Sequence, residues 1–165
     1  MNRLIFFLLL APLGVFGQLQ VELVVPIATP SGDRLISLDR YERVHVLLRN
    51  TGAEPIRLWK DWNSWGYFNL YLILELGNTS LTMTRKHPGK WEGDFPDFWL
   101  LPPGETVVLE VDFGDAQWKN FPDLYGESLV GNLKAIYENK SDVLAEEYGV
   151  WVGRLESQPL QVMVK

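Results

Sequence analysis

The chain has little from which to build a reactive centre: two histidines, His45 and His87, and no cysteine in 165 residues. A hydrolytic triad needs a base beside a nucleophile. His45 sits between Arg43 and Leu47 in an alternating run, where the pattern predicts the solvated outer face of a strand. His87 precedes Pro88-Gly89 in a loop, with no second histidine at ligand spacing, so no zinc site is predicted. Carboxylates occur in local pairs at Asp94 and Asp97 and at Asp112 and Asp115. A glycosidase needs two carboxyl groups flanking one bond, and calcium could use Asp94, Asp97, Asp115 and Asp123, but their spacing matches no EF-hand and such pairs usually cap turns. The sequence therefore predicts no catalytic residue, no metal and no cofactor.

The aromatic residues are the stronger signal. Of seven tryptophans, Trp59, Trp62, Trp65, Trp91, Trp99 and Trp118 fall in or beside stretches that read as irregular, and Trp151 falls in a short possible strand. Trp59, Trp62 and Trp65 recur every three residues, which suits a helical turn or an irregular connection better than a strand. Phe95-Pro-Asp97-Phe-Trp99 and Phe121-Pro-Asp123-Leu-Tyr125 repeat one pattern of aromatic, proline, aspartate, apolar and aromatic residues. Proline fixes its own φ and extends its predecessor, and an aspartate after it can start a turn, so both segments read as rigid loops. Rings on rigid loops could stack on sugar faces, with Asp97 and Asp123 bonding hydroxyls; the same rings could instead pack over the open end of the fold. The candidate ligand-binding set is thus Trp59, Trp62, Trp65, Trp91, Trp99, Trp118, Asp97 and Asp123.

The elements that must hold these loops have a period of two. Leu19, Val21, Leu23 and Val25 alternate with Gln20, Glu22 and Val24, as do Val44, Val46 and Leu48 with Arg43, His45, Leu47 and Arg49 before the break at Asn50-Thr51-Gly52. Pro55 to Trp59 gives a short strand, and Asn69 to Leu76 another that turns at Gly77-Asn78 into Leu81-Thr-Met83-Thr as a hairpin. Pro103-Gly104-Glu105 opens a strand with Val107, Leu109, Val111 and Phe113 on one face. Leu133, Ala135 and Tyr137, a short run at Gly149 to Arg154, and Leu160, Val162 and Val164 complete seven to nine strands, with one weak helical turn near Asp142 to Glu147. Crossover helices are missing from this pattern, so the expected fold is all-β, an antiparallel sandwich with long aromatic-rich loops.

Composition bounds the partners. A hydrophobic share of 47% and a charged share of 22% suit one globular domain. The net charge of −6 gives no footprint for nucleic acid or anionic lipid. Met-Asn-Arg, the apolar run Leu4 to Leu10 and the small-residue stretch ending at Gly17 have the order of a secretory signal, so residues 1–17 are predicted to be removed and 18–165 to form one domain. Arg3 leaves with that segment and no carboxylate does, which takes the exported form to −7. No membrane span is expected after removal. Folding without disulfides points to a bacterial periplasmic or secreted protein. Asn78-Thr-Ser and Asn139-Lys-Ser fit the glycosylation triplet, which also arises by chance.

The order strand, Asn50-Thr51-Gly52-Ala-Glu-Pro55, aromatic stretch, Leu101-Pro-Pro-Gly-Glu105 and a penultimate strand ending in Tyr137 resembles immunoglobulin-like or fibronectin type III-like sandwiches of bacterial exported proteins. The same two turns are similar to those of the bacterial intracellular proteinase inhibitors, also β-sandwiches, whose location the leader contradicts. The resemblance implies the fold alone; because no catalytic set is found among the residues, the expected function is a non-catalytic exported binding or accessory module that contacts another protein. The alternatives are a carbohydrate-binding module using the loop tryptophans on a polysaccharide, and an inhibitor presenting the stretch 87–104.

Overall fold

A computed structural model describes residues 19–28, 30–32, 34–36, 43–91, 93–113, 118–120, 122 and 128–165. The proposed leader, Asp115, Asp123 and, apart from Pro122, the second aromatic-Pro-Asp segment lie outside the described residues. Twelve strands and one short helix are formed by the rest. In chain order they are β1 Leu19–Val24, β2 Arg34–Ile36, β3 Arg43–Asn50, β4 Ile56–Trp59, β5 Leu70–Leu76, β6 Thr79–Arg85, β7 Phe98–Leu101, β8 Thr106–Asp112, β9 Trp118–Lys119, β10 Leu129–Asn139, α1 Val143–Tyr148, β11 Gly153–Glu156 and β12 Leu160–Val164. The fold is all-β, with several sheets that are antiparallel except where β2 runs parallel to β12.

Strands β1, β3 and β8 form one sheet, and β4 pairs with β7 as a two-stranded ribbon. A second large sheet has the order β2-β12-β10-β5-β6-β9, with β11 also on β10. Alternation chose the buried faces: Val44, Val46 and Leu48 of β3, Leu109 and Val111 of β8, and Leu70, Leu72 and Leu74 of β5 are all buried in one apolar cluster. Leu133, Ala135 and Tyr137 of β10 join that cluster, yet Ile136, of the opposite parity, is buried as well. At that point β10 is covered on both faces.

Three strands were not foreseen, β2, β7 and β9. They are short, and β7 takes Trp99 out of the loop expected for it and pairs it with Leu58 of β4. Trp118 likewise lies in a strand, opposite Arg85 of β6. The expected hairpin is present, with Leu76 opposite Thr79 and Gly77 at φ +56° in the turn. The weak turn is helix α1, capped by the Asp142 side chain, which accepts from the Ala145 amide at 2.7 Å.

Candidate functional site

The aromatic end of the molecule is built on the segment between β4 and β5. After Trp59 the chain winds through residues 61–69 in successive turns, with the Tyr67 amide donating to the Asn63 carbonyl and the Asn69 amide to the Gly66 carbonyl. Asn63 is fully buried and acts as the hub: its Oδ1 accepts from the amides of Trp65 and Gly66, and its Nδ2 donates to the Asp97 carbonyl at 2.9 Å. Asp94 accepts from the Ser64 amide at 3.0 Å. Asp97 accepts from its neighbour's amide at Phe98 and from Lys60 at 2.7 Å. The Lys60 hydrogen bond lowers the Asp97 pKa below its ordinary value; burial opposes it, and the Phe98 amide and the Lys60 charge add to the lowering. Both carboxylates therefore clamp one loop onto another, as turn-capping aspartates do. Among the described residues no cluster of His, Asp and Glu could hold a metal ion.

Arg85 fastens the same segment to the large sheet. Buried on β6, it donates to the Asp61 carboxylate at 3.3 Å and to the carbonyls of Asp61 and Tyr67, and its guanidinium lies over the rings of Tyr67 and Trp118. A planar cation with five donors can satisfy a carboxylate, two carbonyls and two ring faces at once.

The tryptophans divide accordingly. Trp59 and Trp118 are core residues, 1% and 4% exposed, the former against Trp65 and Tyr148 and the latter against Phe113. Trp65, Trp91 and Trp99 are half-buried. Trp62 is 45% exposed and meets Phe95, 55% exposed, edge-on at 5.2 Å. Phe68 is exposed beside Tyr67, His87 and Trp91. Each of these ring contacts is tilted or edge-to-face, so none of these pairs presents two coplanar rings. The packing alternative describes Trp59 and Trp118; Trp62 keeps a free face.

Both histidines are placed. His87 accepts from the Gly89 amide through Nδ1 and packs on Phe68 and Trp91. His45 faces outward as expected but is half-buried, its Nδ1 shielded from water without a hydrogen-bond partner; flanking strands shade the ring where alternation alone suggests full solvation. Nor does 87–104 run as one free loop, because residues 98–101 pair with β4 and 94–97 are clamped. Asn139 of the second glycosylation triplet is buried, its amide donating to the Trp151 carbonyl, whereas Asn78 is exposed at its turn.

One recess beside this end was not anticipated. Ser64, Trp65, Phe68, Asn69 and Tyr71 on one side and Glu138, Asn139, Lys140 and Asp142 on the other line a groove of about 340 Å³. A signal for half of it is present in the sequence, because the three-residue aromatic spacing continues past Trp65 to Phe68 and Tyr71. The other half comes from the end of β10 and the cap of α1, some seventy residues on, as in the bond from the Tyr71 hydroxyl to the Glu138 carboxylate at 3.0 Å. No model of a known protein family matches the chain, and no curated protein matches it either.

Proposed function

We propose that the chain is a non-catalytic exported β-sandwich of the immunoglobulin-like kind, a binding module that contacts another exported protein through its aromatic end. The observation that carries this reading is the pair Trp62 and Phe95: two large rings, each close to half exposed, in edge contact on loops clamped by Asn63, Asp94 and Asp97. Large rings held in place before binding lose little conformational freedom in a complex, and they supply most of the affinity where they occur in interfaces. Export is supported by the leader-like order of Met1 to Gly17, and the sandwich by two sets of alternating strands whose apolar faces feed one cluster. No helix among the described residues is long and apolar enough to cross a membrane. Asp94 and Asp97, the first pair of carboxylates that could have served as acids or bases, hold backbone amides and Lys60, which favours binding over catalysis at that pair.

Site-specific photocrosslinking tests this. The full chain, exported by the cells that make it, would carry a benzophenone amino acid at Trp62, at Phe95 or, as a control, at Glu110 on β8. The expected result is one discrete adduct with a second protein from positions 62 and 95 and none from 110, lost on adding Phe95→Ser to the position-62 variant. Equal adducts from all three positions, or none, would overturn the assignment.

A further inference from the structure

The groove beside the aromatic end has a composition that selects its ligand. Its walls carry three rings, Trp65, Phe68 and Tyr71, none of which stacks on another among the described residues. Each is braced from behind or at its tip. Trp65 packs on the buried Trp59, Phe68 on Trp91 and His87, and the Tyr71 hydroxyl donates to Glu138 and accepts from Arg154 Nε at 3.4 Å. Bracing of this kind gives ready-made flat apolar surfaces. The opposite wall is polar, with Glu138, Lys140 and Asp142 within three positions of the chain's turn from β10 into α1.

Charges of both signs are present. Glu138 and Asp142 bring two carboxylates and Lys140 one cation into the groove, while Arg154, on the Tyr71 hydroxyl, is itself paired with Glu156. Lys140 is exposed and makes no ion pair among the described residues. A free anion would meet both carboxylates, and an organic cation caged by the rings would meet Lys140, so neither sign is selected. A neutral ligand with apolar ring faces and many hydroxyls suits all the groups together: faces on Trp65 and Phe68, hydroxyls donating to Glu138 and Asp142 and accepting from Lys140. The volume lies in the range of ligand clefts and would hold one to two sugar rings, with an open end for a longer chain. The comparably sized recess between β1 and β11, lined by Leu19, Gln20, Val21, Leu155, Glu156 and Gln158, offers no aromatic ring and lacks this combination.

We propose that this groove binds a neutral oligosaccharide, stacked on Trp65 and Phe68 and oriented by Glu138, Lys140 and Asp142. The site is separate from the Trp62 and Phe95 contact and does not depend on it.

Isothermal titration of the exported chain with cellohexaose, chitohexaose, xylohexaose, mannohexaose and laminarihexaose, and with tetramethylammonium, tests the assignment. At least one hexasaccharide should bind with Kd below about 1 mM. Phe68→Ala, an exposed ring whose loss leaves the core intact, and Glu138→Gln should each weaken it by roughly fivefold or more, while Trp62→Ala leaves it unchanged. Thermal melting of each variant separates lost affinity from lost folding. Silence from all five sugars at about 5 mM, binding indifferent to Phe68→Ala, or tighter binding of tetramethylammonium would overturn the proposal. Crosslinking at Trp62 is expected to survive Phe68→Ala, so failure of the sugar site and failure of the protein contact give different results.

Discussion

The Asn50 side-chain amide donates to the Leu101 carbonyl at 2.9 Å, across fifty-one residues of chain. The same nitrogen donates to the Glu54 carbonyl at 2.7 Å, and the amide oxygen accepts from Gly52. The main chain completes the junction: the Gly104 amide donates to the Asn50 carbonyl and the Asn50 amide to the Glu105 carbonyl. The two turns that suggested a sandwich, Asn50-Thr51-Gly52 and Pro102-Pro103-Gly104, are thus one structure, the hinge where the β3/β8 pairing gives way to the β4/β7 ribbon. Asn50→Ala leaves two carbonyls and an amide to find other partners and should lower stability by about 2 to 4 kcal/mol. Glu54→Ala, whose carbonyl is untouched, should stay within roughly 0.5 kcal/mol. Urea midpoints of the two variants decide; equal effects would mean that the turns hold without Asn50.

The register of β8 gives a second contrast. Val111 is fully buried opposite Val44, whereas Glu110 lies on the other face in an ion pair with Arg43 at 2.8 Å, both side chains more than half exposed. Val111→Asp places a carboxylate among apolar groups and should cost several kcal/mol, on the scale of a domain's whole stability. Glu110→Lys loses an exposed pair, worth about 1 kcal/mol at most. The expected denaturation midpoints differ accordingly, and similar midpoints would contradict the register.

How far the sequence could be followed depended on length and on distance. Runs of six or more alternating residues, β1, β3, β5 and β8, announce both strand and buried face, because each inward side chain repeats the same message. The two or three residues of β9 and β2 carry too few alternations, and only partners far along the chain make them strands. Phe98-Trp99-Leu100-Leu101 does not alternate at all, so β7 was hidden beside Pro96-Asp97. The turn-capping role of Asp94 and Asp97 was readable from residue type. The groove was not, since Tyr71 and Glu138 meet only through the β5/β10 pairing.

The tryptophans should separate cleanly by burial. Trp59→Ala and Trp118→Ala remove buried rings and are expected to cost about 3 to 5 kcal/mol each. Trp118→Ala also withdraws a ring face from the buried Arg85 guanidinium. Trp62→Ala, nearly half exposed, should cost less than about 1 kcal/mol. Iodide quenching of the same variants provides the second reading: only the loss of Trp62 should remove most of the quenchable fluorescence, and strong quenching that survives Trp62→Ala would place another ring in solvent.

Tyr137 makes stability sensitive to alkali. Burial on β10 pushes its phenol far above the ordinary value of 10.0, with Asp61 adding to the shift and Asn69 only partly offsetting it. A phenol titrating higher in the folded state than in the unfolded chain keeps its full contribution below the unfolded pKa. Above about pH 10 the unfolded form ionises while the folded form cannot, so stability falls as pH rises. Tyr137→Phe has no such proton. The difference in urea midpoint between wild type and Tyr137→Phe should be constant from about pH 7 to 9 and shift in favour of the variant above about pH 10. A difference that stays flat to pH ~11 would mean that the hydroxyl ionises as freely folded as unfolded.

The segment that carries both proposed contacts depends on one glycine. A Cβ on Gly66 would overlap the Lys60 carbonyl oxygen and lie 2.9 Å from that of Trp59, and these are main-chain atoms held in place by Asn63, Asp97 and β4. No rotamer change relieves such an overlap; residues 60–66 would have to move. Gly77 makes an instructive comparison, because its φ of +56° strains any side chain but nothing lies within 4 Å of a Cβ there. Gly77→Ala should therefore cost only about 1 kcal/mol of backbone strain. Gly66→Ala should cost about 3 kcal/mol or more and, since Trp62, Trp65 and Phe68 ride on the displaced segment, should also abolish crosslinking from position 62. Urea midpoints and crosslinking on the two variants measure both consequences, and a Gly66→Ala protein as stable as Gly77→Ala would show that the turns of residues 61–69 are not wound this tightly against β4.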